Sequence, residues 1–352
     1  MMRRALAFLV AALAIASSAS SAWAQSSGAA ALRTPAEHVR TPDQTYLTFP
    51  EWYLVHSPAE YADYLASNSR ISAFPLFAHI GQFWQSYAAV NREIDKYPFN
   101  AGYHVMVMVI GVSTSVEYAL KGVYEHTLGR LAEATRTATA VPEEQFAARY
   151  ARAYVDFIRI DPWYLFDFWS RFTELWQTAP LEGPNLVRRW ERRFALSTEL
   201  LVKEGYARLI KLGAQSIYDA PKPVTVVVLS RAPEAEPGKH AEFRILQGGT
   251  GGAPVLATLP RYEAFTNYSA WLAAQGIDFL EIAGNNGDVL VSALASGTAP
   301  SPAGRVLFEQ PILTQPGRRR VVFATPIKSL GAELRRAQQS KGQLSIEHVY
   351  DF

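Results

Sequence analysis

The 352-residue chain contains no cysteine. Disulfides, thiol chemistry, c-type haem attachment and lipid attachment through a lipobox-type cysteine are therefore excluded, and the fold must rest on its core alone. Histidine is sparse, with seven in the chain, and none sits at a short metal-ligand spacing. On one helix, His104 and His126 would share a face but stand about 33 Å apart, too far for a common ion. The sequence also lacks His-Glu-x-x-His, Gly-x-Ser-x-Gly, and Ser-x-x-Lys with its partner motifs, so it offers no assembled catalytic set and no expected metal or cofactor.

Net charge of one sign is also missing. The formal charge is +2. The opening, MMRRALAFLVAALAIASSASSAWAQ, has a basic start at Arg3 and Arg4, a short apolar run and a small-x-small site at Ala22-Trp23-Ala24, the three parts of a secretory signal over residues 1–24. Cleavage after Ala24 takes the 34 basic residues to 32, equal to the 32 acidic ones. A neutral mature chain lacks the field that nucleic-acid binding uses, which excludes that class of partner. An exported protein, periplasmic or secreted, is the expectation.

What remains is long enough for two domains. Residues 25–43 are small and polar and read as a flexible leader. Residues 44–218 carry helical periodicity and six of the eight tryptophans. Asp219-Ala220-Pro221-Lys222-Pro223 reads as a linker, because two prolines deny helix and ladder hydrogen bonding alike. Residues 224–352 carry short β-branched runs and glycine turns. The expected fold is α+β, an aromatic-rich all-helical domain followed by an α+β sandwich.

In the second part, strands are expected at 224–230, 277–283, 289–295, 305–313, 319–325 and 343–350, with hairpin turns at Asn286-Gly287 and Pro316-Gly317. Helices are expected at 262–275 and 327–339. Ala257-Thr258-Leu259-Pro260 precedes the first helix and Ala324-Thr325-Pro326 the second, and each helix leads to a glycine followed five positions later by Glu281 or Glu347. This reads as a duplicated βαβ element, and suggests a ferredoxin-like sheet with both helices on one face. Gly248 to Gly252 has no phosphate-binding lysine and reads as a surface loop; residues 284–288 lack a calcium loop's spaced carboxylates and read as a turn.

In the helical part, Ser57 with Glu60 forms a capping box for a helix starting at Pro58. Residues 99–116 carry no charge for eighteen positions. They can be a buried central helix, a membrane span or a buried strand. The pattern Ser115-x-Glu117-x-x-x-Lys121-x-x-Tyr124 recurs as Ser197-x-Glu199-x-x-x-Lys203-x-x-Tyr206, the second copy on a charge-dotted helix that could not span a bilayer, which favours packed helices for both. Glu117, Lys121, Tyr124, Glu199, Lys203 and Tyr206 thus form a candidate polar cluster. Read as an acid/base set, burial would move their pKa values toward neutrality; read structurally, they are helix ion pairs.

DPWYLFDFWSRFTELW, residues 161–176, holds seven aromatics. As one helix over 163–176, with Asp161 as cap and Pro162 in its first turn, it would aim Tyr164, Phe168, Trp169, Phe172 and Trp176 at the core. Trp163 and Phe166 would fall outside that stripe, as candidates for surface contact. Arg188, Arg189, Trp190, Arg192 and Arg193 mark a basic helix over 185–213, which reads as a solvated edge packed inward on its apolar side, or as a membrane-surface contact. With no catalytic set, the expected function is a non-catalytic binding or interaction protein of the cell envelope, meeting a membrane surface or another envelope protein. Two alternatives stand beside it: a hydrolase or lipid-modifying enzyme with a site between the domains using Glu117, Lys121 or Glu199, and an envelope component anchored through residues 99–124.

Overall fold

The computed structural model describes residues 32–67, 70–137, 139, 141–178, 182–214, 224–234, 243–249 and 252–351. The expected signal (1–24) and linker (219–223) lie outside these residues. Among the described residues, six helices precede the first strand: α1 (Gln44–Ser67), α2 (Leu76–Ile94), α3 (Ala101–Ala134), α4 (Pro142–Ile158), α5 (Phe168–Thr178) and α6 (Leu186–Ala214). The strand-rich part follows as β1 (Val224–Leu229), β2 (Arg244–Gly248), β3 (Val255–Pro260), α7 (Glu263–Ala274), β4 (Phe279–Ile282), β5 (Asp288–Ser296), β6 (Arg305–Pro311), β7 (Arg318–Pro326), α8 (Ile327–Gln339) and β8 (Leu344–Val349). The α+β class and its order, helices first, are as expected.

The strands form two antiparallel sheets, ordered β2-β3-β1-β4 and β6-β7-β5-β8. The orders are identical when β5 to β8 are set on β1 to β4, so the duplication extends beyond the two expected βαβ units to a whole β-β-β-α-β module. Each sheet has one crossover helix, in place of one sheet carrying both. The two helices and the inner faces of both sheets share one core, built from Val227, Phe265, Phe279, Val291, Phe323 and Leu330 among others. Strand β2 lacks a clean period-2 pattern and lies outside the expected strands; β3 lacks one too and is anticipated only as the segment before the first helix of the duplicated βαβ element. Asn286-Gly287 joins β4 to β5 in different sheets, so it is not a hairpin; Pro316-Gly317 does join paired strands.

The outer face of the second sheet supports the helices. Leu290, Val322, Ala324 and Tyr350 pack on Tyr46, Leu47, Phe49 and Trp52 of α1 and on Val90 and Ile94 of α2. Thr45 stitches this seam, donating to the Tyr350 carbonyl at 3.1 Å and accepting from the Leu290 amide at 3.0 Å. Part of the expected leader is not loose. Leu32 packs on Val226, Val228 and Leu256 of the first sheet, and the Thr34 amide donates to Glu281 at 2.9 Å.

Three helical expectations are corrected. Helix α1 runs unbroken through Pro50 and Pro58, and Ser57 is buried within it, bonded to His79 Nδ1 at 3.0 Å and Tyr118 Oη at 2.8 Å instead of capping. Packing on α2, α4 and the sheet outweighs the backbone bonds the prolines forfeit. Residues 163–176 are not one helix: Trp163–Leu165 is a 3-10 turn, Phe166 is extended, and Asp167 caps α5 by accepting from the Ser170 amide at 2.9 Å. This break rotates the phase of everything before it. Finally, 101–116 is helical, capped by Asn100, but only 22% of the most apolar 18-residue stretch of α3 is buried. Gly111 and Gly122 press the α3 backbone against Phe83 and Phe77 of α2, so just one side of the helix is covered.

Candidate functional site

Helices α3 and α6 run antiparallel and touch through long side chains. Lys203 Nζ meets Glu117 at 3.1 Å, Lys121 Nζ meets Glu199 at 3.0 Å, and Lys203 also meets Glu199 at 3.1 Å. Further along, Arg192 clasps Glu125 with both terminal nitrogens, at 2.7 and 3.1 Å. The spacing of i and i+4 on both helices, combined with opposite chain directions, turns two copies of one motif into a ladder: each glutamate faces the other copy's lysine.

The reciprocity reaches neighbouring helices. Trp84 Nε1 of α2 donates to Ser115 at 2.9 Å, and Trp176 Nε1 of α5 donates to Ser197 at 3.1 Å. Lys121 lies 4.4 Å from the ring centre of Tyr61, and Lys203 lies 5.1 Å from that of Tyr154. Tyr61 packs edge-on against Phe74, and Tyr154 edge-on against Phe166. So the contacts that α1 and α2 make with α3 recur in those that α4 and α5 make with α6, on the two sides of the ladder. The sequence holds the signal in Tyr61-x-Asp63-Tyr64-Leu65 against Tyr154-x-Asp156-Phe157-Ile158, and in tryptophans eight positions after the start of α2 and of α5.

Above the ladder opens a cleft of about 590 Å³ between α3 and α6. Its walls are Val116 and Leu120 on one side and Phe194 and Val202 on the other; its floor is the charged ladder. Beneath the floor lies a smaller chamber of about 80 Å³, lined by Tyr53, Tyr61, Tyr118, Tyr150 and Tyr154. The floor holds its charges firmly. Burial opposes the ammonium of Lys121, but Glu199 and Tyr61 raise its pKa above the usual lysine range. Burial likewise opposes the Glu199 carboxylate, and Lys121 with Lys203 holds it well below the usual carboxylate range. Both shifts lead away from neutrality, contrary to the acid/base expectation, and a general base or acid at pH 7 needs the reverse.

The structure therefore unites Glu117, Lys121, Glu199 and Lys203. Tyr124 and Tyr206 line the same cleft at its two ends, Tyr124 donating to the Glu191 carbonyl at 3.4 Å and Tyr206 lying 5.4 Å from the Trp163 ring. The site lies within the helical part, not between the helices and the sheets.

The arginine cluster is the largest correction. Arg188, Arg189, Arg192 and Arg193 are buried, not solvated. Arg188 Nε donates to Glu144 at 2.8 Å, and Arg189 and Arg193 share Glu143 at 3.2 and 2.6 Å. A π-helical turn at Glu125–Gly129 in α3 adds one residue and directs Glu125 inward to Arg192. The charged side of α6 thus faces the interior because α3 and the start of α4 bring matching carboxylates, a tertiary fact that no window of sequence contains. Phe166 is buried and Trp163 half-buried among aromatics, so neither is a surface contact. Trp190 is the member of that set that stays open, 45% exposed.

Among the described residues no group of three or more histidines and carboxylates is placed to hold a metal ion. No protein-family model, no curated protein and no solved structure matches this chain.

Proposed function

We propose that this is an exported, non-catalytic binding protein of the cell envelope, and that the cleft between α3 and α6 takes an apolar or amphiphilic small molecule. The carrying observation is the cleft itself: apolar walls from two helices above a floor whose charges neutralise one another. Such a floor offers no net charge to a free ion, whereas the walls gain by covering a hydrocarbon chain. The volume is in the range of drug-sized and single-chain ligands.

Native mass spectrometry of the purified protein, followed by titration with a fluorescent long-chain fatty acid, tests the reading. Retained amphiphile or saturable probe binding, lost in Leu120→Asp and Val202→Asp, is the expected result. Absence of both retained mass and probe binding would overturn it. Turnover of an ester, glycoside or phosphate substrate that disappears in Glu117→Gln or Glu199→Gln would replace it with the hydrolase reading, which the convergence of Glu117, Lys121 and Glu199 in one cleft favours.

A further inference from the structure

Outside the cleft, α3 and α6 are polarised in the reverse of a water-soluble helix. Val105, Val109 and Val112 of α3 are more than half exposed, as are Val187, Leu209 and Leu212 of α6, while the arginines, Glu125 and Glu199 turn inward. From Val105 to Leu131 on α3, and from Leu186 to Leu212 on α6, the two stripes are each about 39 Å long at 1.5 Å per residue. They lie side by side on one face of the molecule. The π-helical turn keeps the α3 stripe in line, since the added residue brings Leu128 and Leu131, 54% and 70% exposed, onto it.

We propose that this face lies flat in the surface of a lipid bilayer, with both helices parallel to the membrane plane. Three observations choose that occupant. First, the hydroxyls on the α3 stripe are spent on the helix itself: Ser113 donates to the Val109 carbonyl at 2.6 Å and Thr127 to the Val123 carbonyl at 2.7 Å. A protein partner would need about one hydrogen bond per 100–200 Å², and the stripe offers almost none; a hydrocarbon layer needs none. Second, Trp169, Trp176 and Trp190 are half-exposed beside the stripes, and Arg130 and Arg208 are exposed near opposite ends of the face, the residue types that settle among lipid headgroups. Third, the neighbouring helices present Gln85 and Arg92 of α2 and Gln145, Arg149 and Asp156 of α4 to solvent. A spanning arrangement would sink these into hydrocarbon; an interfacial one leaves them in water.

Flotation of the purified protein with vesicles of phosphatidylcholine, and of phosphatidylcholine with phosphatidylglycerol, tests the proposal. The expected result is co-flotation, stronger on the anionic vesicles, weakened about tenfold or more in Val109→Glu/Val187→Glu. Those side chains are already exposed, so circular dichroism and the melting temperature should stay unchanged. Trp190→Ser provides a second, uncharged variant with the same expected direction. Failure to float on either vesicle would overturn the proposal, as would a dimer in solution that the double variant dissociates without any flotation, or resistance of the membrane-bound protein to carbonate extraction. Fatty-acid titration of Val109→Glu/Val187→Glu separates this surface from the cleft: binding should persist there, because neither residue lines the cleft.

Discussion

Glu117 of α3 and Lys203 of α6 stand 86 positions apart in sequence and 3.1 Å apart in space, and their counterparts Lys121 and Glu199 repeat the pairing in reverse order at 3.0 Å. The i,i+4 pair of α6, Glu199 with Lys203 at 3.1 Å, is kept, and both of its members also reach across to bind the two copies of the motif to each other.

The ladder should behave as a coupled unit. Lys121→Met is expected to cost roughly 1–3 kcal/mol, between an exposed and a fully buried pair, since it leaves Glu199 with Lys203 as its one cationic partner. A double-mutant cycle with Glu199→Leu, read by urea denaturation, should give a coupling energy well above the roughly 0.3–0.5 kcal/mol scatter of independent sites. Additive losses would show that the two side chains merely sit near each other.

The arginine interior predicts a steeper response. Glu143 serves both Arg189 and Arg193 in a fully buried setting. Glu143→Ala should destabilise by about 3–5 kcal/mol because it removes the carboxylate that two buried guanidinium groups share. Glu182→Ala, by contrast, removes an exposed side chain and should shift the melting temperature little.

Among the aromatics of residues 161–176, the break before α5 reverses the order expected from a single helix. Phe166→Ala, emptying a site walled by Tyr154, Phe157 and Phe168, should cost about 3–5 kcal/mol. Trp169, 49% exposed, should cost clearly less when cut to alanine. Chemical denaturation of the two variants side by side decides it.

Acid should unfold the protein through its buried histidines, His56, His79 and His348, the last also held low chiefly by burial. Burial pushes His56 down to about 3 despite the neighbouring Glu347, while Arg320 and Arg159 add to the fall; burial pushes His79 down to about 3, with Arg320 adding to it. Their folded-state pKa values lie below the unfolded value near 6.5, so the native state binds fewer protons than the unfolded state. Stability is therefore full above about pH 6.5 and falls as pH drops toward 3, by up to roughly 1.4 kcal/mol per pH unit for each histidine. Melting temperatures between pH 7 and 4 measure the slope, and His79→Gln should flatten part of it. A profile without slope above pH 5 would show that these histidines are not held neutral.

The sequence alone determined the class and the local periods: helices before strands, helix α8 at its observed bounds, the duplicated βαβ unit, and the two Ser-x-Glu-x-x-x-Lys-x-x-Tyr copies whose four charged residues form the site. These are legible because period, turn residues and motif spacing are local, and local preference matches the final fold. Which side of a helix faces inward is another matter. For α6 the ordinary rule puts valine and tryptophan inside and arginine outside, and the fold does the opposite, because Glu125, Glu143 and Glu144 arrive from other helices to neutralise the arginines. The break at Phe166 was similarly hidden: Asp167 can cap α5 only where residues 163–166 leave helical geometry to pack their rings on α4 and α6. Burial of charge depends on partners distant in sequence, so only the tertiary structure could decide the polarity of α3 and α6, and with it where the cleft and the apolar face lie.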